Sequence, residues 1–197
     1  MDRRAAAVEQ TRRAIVEATM RCHARQGILA TSLPDIAQEA DVALGTVYRH
    51  FATLNDLVAA CGAASLASLG LPDRQTATEH FRGACSRTRR ISRLVDAVAA
   101  IYQPAAKSFL AVRAAADALP AAAHGHERME RAIDLLVDEA LRPLDVSANR
   151  RRTVRALLDA RFWETLTEHG LDADGARDEL VRLVTCELRE RRGDGDF

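Results

Sequence analysis

Between Gly45 and Phe51 the chain reads Gly-Thr-Val-Tyr-Arg-His-Phe. Val47 and Phe51 are four residues apart, so on a helix they face one way, and Thr46, Tyr48, Arg49 and His50 are left pointing out. A hydroxyl, a phenol, a guanidinium and an imidazole are groups that hydrogen-bond phosphate oxygens and base edges. An arginine can pair bidentately with guanine, a threonine methyl can touch the thymine methyl, and a glycine lets the backbone approach a duplex closely. Covalent chemistry is not indicated. The sequence has no G-x-S-x-G, Walker loop, H-E-x-x-H or Rossmann glycine pattern, so neither an enzyme nor a cofactor is expected. His124-Gly125-His126 with Glu127 and Glu130 has no third ligand at a defined spacing, and no metal is expected there.

These side chains need a frame. Val8, Thr11, Ile15, Ala18 and Cys22 recur at spacings of three and four, which predicts a first helix with one inward face, stopped at Gly27. Ser32-Leu33-Pro34-Asp35 combines a capping hydroxyl, a proline in the first turn and an acid three residues on. Leu33, Ile36, Ala37 and Ala40 then form the stripe of a short second helix. Asp41-Val42 makes a tight link, aspartate being tolerant of left-handed backbone, and residues 43–51 hold about two turns of a third helix. Thr53, with Asp56 three residues later, opens a fourth helix that runs to about Gly70. Two short helices, a tight turn between them, small Ala37 at the crossing and polar groups on the outer face of the second describe a helix-turn-helix. The second of the pair is the one that enters a major groove.

Beyond Pro72 the helices lengthen, with boundaries near Gln103-Pro104, Leu119-Pro120, Arg142-Pro143 and Gly170. They are expected at 76–102, with a break near Arg87–Arg90, and at 104–118, 126–141, 148–169 and 173–191, with a frayed tail from Arg191. Richness in Ala, Leu, Arg and Glu without strand-like alternation gives an all-α fold of about nine helices. Residues 1–53 form a helix-turn-helix domain, about 54–70 a connecting helix, and 71–197 a second helical domain. No window approaches about 18 uninterrupted apolar residues and the start lacks a signal-peptide stretch, so a cytoplasmic protein that keeps off membranes is expected. Cys22, Cys61, Cys85 and Cys186 contain no C-x-x-C pair and are read as reduced thiols.

The charge sum pulls the other way. The 197 residues carry 28 basic and 28 acidic side chains, whereas a nucleic-acid binder usually presents a basic surface. Residues 1–56 are themselves neutral: Arg3, Arg4, Arg12, Arg13, Arg21, Arg25 and Arg49 face Asp2, Glu9, Glu17, Asp35, Glu39, Asp41 and Asp56. Lys107 is the only lysine, so arginine supplies nearly all the cations, and arginine is the side chain suited to bidentate recognition.

Three segments, Ala30-Thr31-Ser32-Leu33-Pro34-Asp35-Ile36-Ala37, Ala40-Asp41-Val42 and Gly45-Thr46-Val47-Tyr48-Arg49-His50-Phe51, together resemble the N-terminal signature of the tetracycline-repressor (TetR) family of transcriptional regulators. The resemblance covers about residues 8–60. It implies a homodimer on a pseudo-palindromic double-stranded DNA operator, with the third helix in the major groove and a small-molecule effector in the C-terminal domain that releases DNA. Carried onto this chain, it puts Thr31, Ser32, Tyr48, His50 and Thr53 against phosphates and Gly45, Thr46 and Arg49 nearest base edges. The chain departs from the family in having Ala43 where serine is common and Leu44 and Leu54 where lysine is common. A helical ligand-binding or interaction protein that has lost specific DNA binding is the alternative that these departures and the neutral charge favour.

In the C-terminal part, Leu158, Phe162 and Leu166 lie on one helical stripe and Leu180, Val184 and Leu188 on another. Two such helices commonly pair with their twofold copies, which makes these residues the expected dimer interface. His80, Phe81, Tyr102, Phe109 and Arg113 combine apolar area with a few polar groups and are the candidates for an effector pocket. Arg87, Arg89, Arg90 and Arg93 read as a solvated face.

A neutral module predicts few phosphate contacts and a shallow dependence of DNA affinity on salt, except for what Arg3 and Arg4 contribute. Titration of operator binding against salt, with and without residues 1–6, checks this; a steep slope that survives the deletion contradicts it.

Overall fold

Helix-forming residues dominate, and the residues that the computed structural model describes, 3–189, form ten helices and no strand. They are α1 Arg3–Gln26, α2 Leu33–Glu39, α3 Leu44–His50, α4 Leu54–Leu69, α5 Arg74–His80, α6 Arg87–Ala115, α7 Pro120–Leu141, α8 Ala148–Leu157, α9 Ala160–Glu168 and α10 Ala173–Glu187. The expected fraying of the tail from Arg191 lies outside the described residues. The chain divides into two compact units: residues up to Gly70 with Ser108–Arg128, and Leu71–Lys107 with the residues from Met129 onward.

In the first unit, α1 to α4 close around Ile15, Cys22, Ile36, Val47, Phe51, Leu57 and Cys61, all buried. Burial pushes the Cys61 thiol up to about 12, which keeps it protonated and unreactive. The predicted signals act where they were read. Ser32 caps α2 and Thr53 caps α4, each in a reciprocal box with the acid three residues on, Asp35 and Asp56. Gly27 takes φ 85 beyond α1, and Asp41, the expected left-handed link, has φ 53. Arg21 and Arg25 of α1 both donate to Glu39 of α2, at 2.7 and 3.0 Å, and these bonds hold the Glu39 carboxyl below its ordinary pKa. A smaller cluster, Ile28, Val58, Ala115 and Ala122, continues this core, and the Asn55 side chain accepts from the Ala121 backbone N–H at 2.9 Å.

Several longer helices differ from expectation. α6 runs straight through Pro104. The bond lost is the one to the Ala100 carbonyl, and since Ala100 and Pro104 are both exposed, water can take its place. The break falls earlier, between α5 and α6, where Gly83 has φ 74. α7 begins at Pro120 and not near 126, proline being well placed in a first turn. The helix expected over 148–169 is two, because Asp159 is extended and caps α9 through the Arg161 backbone N–H. The stretch Leu54–His80 is apolar enough to cross a membrane by composition. Gly70 (φ 56) and Pro72 divide it, however, and its longest helix, α4, has 16 residues, fewer than the roughly 20 a span needs.

In the second unit, Ile91, Leu94, Val98, Ile133, Leu136, Val154, Leu158, Leu180 and Val184 are buried, with α10 packed on α8 and α9. Arg90 is buried among them and is not part of a solvated face. Its guanidinium donates to the carbonyls of Ala140 (2.8 Å), Ala84 (3.2 Å) and Glu139 and lies 5.1 Å from the centre of the Phe81 ring. It thereby caps the C-terminal carbonyls of α7 from the start of α6. Three further arginines serve as ties: Arg155 binds Glu130 and Asp134 of α7, Arg151 binds Asp138, and Arg177 binds Asp96.

Two stability tests follow from this packing. Arg90→Leu strands three carbonyls, two of them in buried contacts, and should lower the free energy of unfolding by about 3 kcal/mol in urea; a loss below about 1 kcal/mol would show that other donors replace it. The Asp35 carboxyl is held below its ordinary pKa chiefly by hydrogen bonds from Ser32. Its stabilisation is therefore complete above the usual carboxylate range and is lost as pH falls through the lowered value, so the gap in melting temperature between wild type and Asp35→Asn should close on acidification from about pH 6 to about pH 2.

Candidate nucleic-acid interface

α3 has only seven residues and no side-chain cap at Ala43, so packing, not its own propensity, must hold it. Val47 is fully buried, and Phe51, at its C-terminal end, is buried beneath the Arg12 guanidinium, 4.8 Å from the ring centre. With those two anchored, the rest of α3 turns outward. Tyr48 is 53% exposed, Leu44 is 37% exposed, Gly45 and Arg49 are exposed, and Thr46 and His50 are half-buried. Among the described residues, the side chains of Thr46, Tyr48, Arg49 and His50 have no hydrogen-bond or ion-pair partner within the chain. A Cβ added at Gly45 would meet nothing within 4 Å. The protein's own packing therefore does not demand a glycine at that position.

The flanking hydroxyls behave differently. Ser32 and Thr53 are exposed but each is engaged in its capping box. Thr31 departs from expectation: it is buried, and its hydroxyl donates to the Gly27 carbonyl at 2.7 Å, closing the link between α1 and α2. Leu44 is the outward residue that sequence reading passed over, having counted it only as a missing lysine. Its i, i+4 spacing from Tyr48 was the available signal, and the two make an apolar ridge along the same side of α3.

Part of the positive charge near the helix pair is engaged locally. Arg21 and Arg25 are tied to Glu39, and Arg12 covers Phe51. Arg49 is the cation that α3 itself presents outward.

The remaining candidates are dispersed. Leu158, Leu180, Val184 and Leu188 are covered by their own chain, whereas Phe162 and Leu166 stay half-buried. The break at Asp159 is the reason: it shifts the inward face of α9 to Ala160 and Trp163, leaving Phe162 off the core side. Of the expected pocket residues, Tyr102 lines a cavity of about 450 Å³ in the second unit, with Lys107, Trp163, Glu164, Thr167 and Glu168 among the other walls. Phe81 is buried under Arg90, while exposed His80 donates from Nε2 to the Arg93 carbonyl, 2.9 Å away. Phe109 is buried and Arg113 exposed in the first unit, so the five do not converge. Among the described residues no group of three His, Cys, Asp or Glu side chains is placed to hold a metal ion.

Comparison with known proteins fits this geometry. Residues 15–61, which include the capped α2, the left-handed Asp41 link and α3, match the family described as bacterial regulatory proteins, tetR family. No curated protein sequence matches the chain. Among solved structures, a putative TetR-family transcriptional regulator from Mesorhizobium loti superposes with a TM-score of 0.65 at 17% identity, covering 95% of this chain and 98% of its own. A TetR-family member from Streptomyces coelicolor gives a TM-score of 0.60 at 23% identity, over 88% and 97% of the two chains. The multidrug binding protein EbrR, solved with malachite green, gives 0.58 at 21%, over 91% and 98%. Residues 15–61 are thus similar to the tetR family of bacterial regulatory proteins, and the chain as a whole has the all-helical fold of solved members of that family.

Proposed function

We propose that this regulator is a homodimeric repressor that binds a pseudo-palindromic operator through α3 and leaves it when a small molecule occupies the second unit. The observation that carries the DNA reading is the set of polar side chains on α3, Thr46, Tyr48, Arg49 and His50, which have no partner among the described residues. Tyr48 and His50 serve as phosphate contacts. Arg49 and Thr46 read base edges, and the open space at Gly45 admits the sugar-phosphate backbone. Ser32 and Thr53 meet phosphates at helix N-termini, where backbone N–H groups favour anions. Leu44 beside Tyr48 suits a thymine methyl, the apolar group of the major groove.

Half-exposed Phe162 and Leu166 on α9 support a twofold seam. Dimerisation would set the half-sites about 34–36 Å apart, or a multiple of that. The cavity beside Tyr102 supports effector binding, as does the likeness to EbrR, whose structure holds malachite green.

A mobility shift with the DNA flanking its own gene should give a sequence-specific complex, weakened at least about tenfold in Tyr48→Ala. Replacing thymine by uracil within the half-site should weaken the wild type more than Leu44→Ala. Absence of any shift at low salt would favour a helical ligand-binding protein without specific DNA binding. Sedimentation should find a dimer that Phe162→Asp or Leu166→Asp dissociates.

A further inference from the structure

The cavity of about 450 Å³ in the second unit holds a charge that its own walls leave poorly satisfied. Tyr102 and Trp163 border it, both nearly fully buried, with ring centres 6.2 Å apart, and Pro104 and Ala173 add apolar lining. The Tyr102 hydroxyl is already committed, donating to the Leu158 carbonyl at 2.8 Å, and burial raises its pKa, so it remains a neutral phenol. Facing the same space is Glu164, whose side chain is only 12% exposed.

Among the described residues its carboxylate accepts no hydrogen bond. Its one ionic neighbour is the Lys107 ammonium, 3.8 Å away on a side chain that is 90% exposed. A largely covered carboxylate in contact with so loosely held a partner has lost most of its water without gaining a good counter-ion. Glu168 adds a second negative charge to the lining, Lys107 is its only cation, and Gln103 and Thr167 are neutral. The cavity is thus electronegative, with Trp163 at its border.

We propose that this cavity binds an organic cation, an apolar aromatic body carrying an ammonium group, with Glu164 as its counter-ion. The inference rests on reading the second unit as the effector-binding part of a regulator. An ammonium seated in the cavity supplies the hydrogen bonds that Glu164 lacks, and the aromatic body lies against the apolar lining of Pro104 and Ala173 beside Trp163. Lys107 yields easily because its long side chain is already in solvent and its pairing with Glu164 is beyond hydrogen-bonding distance. An anion would meet Glu164 and Glu168 together, and its carboxylate would face like charge in a partly dry site.

The chain's single tryptophan is Trp163, so its fluorescence reports on this cavity without a label. The test titrates the full-length protein with three probes sharing one body: 3-phenylpropylamine, 3-phenylpropan-1-ol and 3-phenylpropanoate. The amine should bind about tenfold or more tighter than the alcohol, and the carboxylate weakest, because the charge-assisted bond is available to the amine alone. Glu164→Gln should abolish the preference of amine over alcohol, with a thermal melt as its folding control. Lys107→Met, on an exposed side chain, should tighten amine binding severalfold.

Equal affinity for amine and alcohol in the wild type, a preference for the carboxylate, no saturable Trp163 response to the amine, or a preference that survives in Glu164→Gln overturns the proposal. Operator release is measured separately. Glu164-dependent amine binding that leaves DNA affinity unchanged upholds the cation site and removes the effector reading. DNA release by compounds that never perturb Trp163 emission, without any amine preference, does the reverse.

Discussion

A helix of seven residues does not stand alone in water, because nucleation costs more than so few hydrogen bonds return. α3 exists by virtue of what lies beneath it: Val47 sealed in the core of α1, α2 and α4, and Phe51 pinned at its end under the Arg12 guanidinium. Everything asked of the outward face depends on that attachment. Two inward anchors fix the rotation of the helix about its axis, and the rotation decides that Tyr48 and Arg49 face solvent. The Glu39 link to Arg21 and Arg25 fixes α2 against α1 by the same logic, so the helix pair is held from both sides.

The neutral charge total acquires a local meaning in this setting. Three arginines of the first unit are engaged locally, two on Glu39 and one on Phe51, and in the second unit Arg90, Arg151, Arg155 and Arg177 tie helices together. Cations spent this way do not make a long-range field. On the proposed reading, recognition of DNA rests on a few placed groups rather than on a basic surface, which favours specific contacts over general affinity for the phosphate chain.

Legibility in the sequence follows the range of the forces involved. The N-terminal module was readable because its determinants are local: Ser32 with Asp35, Thr53 with Asp56, Gly27, Asp41 and the spacing of Val47 and Phe51 act within a few residues of themselves. Where tertiary partners decide, reading failed. Pro104 looked like a stop, yet its lost hydrogen bond lies on a solvent face, and Asp159 looked like one more helical residue, yet it caps a new helix and turns Trp163 inward in place of Phe162. Arg90 counted as one charge among several on a basic segment, and no local pattern says that its guanidinium will meet three carbonyls some of which lie fifty residues away. Glu164, Thr167 and Glu168 of the cavity escaped for the same reason, since α6 and α9 are distant in sequence and their facing sides are a property of the packed unit.

The near-exclusive use of arginine has one further chemical consequence. The side chain of Lys107 is the only lysine amine in the protein, and it stands at the cavity with most of its surface in water. Acylation, reductive methylation or any other amine-selective reaction on lysine therefore has a single address. Acetylation there would erase the one positive charge opposite Glu164, whereas methylation would preserve it, so the two modifications of one atom would leave the cavity differing by one full charge.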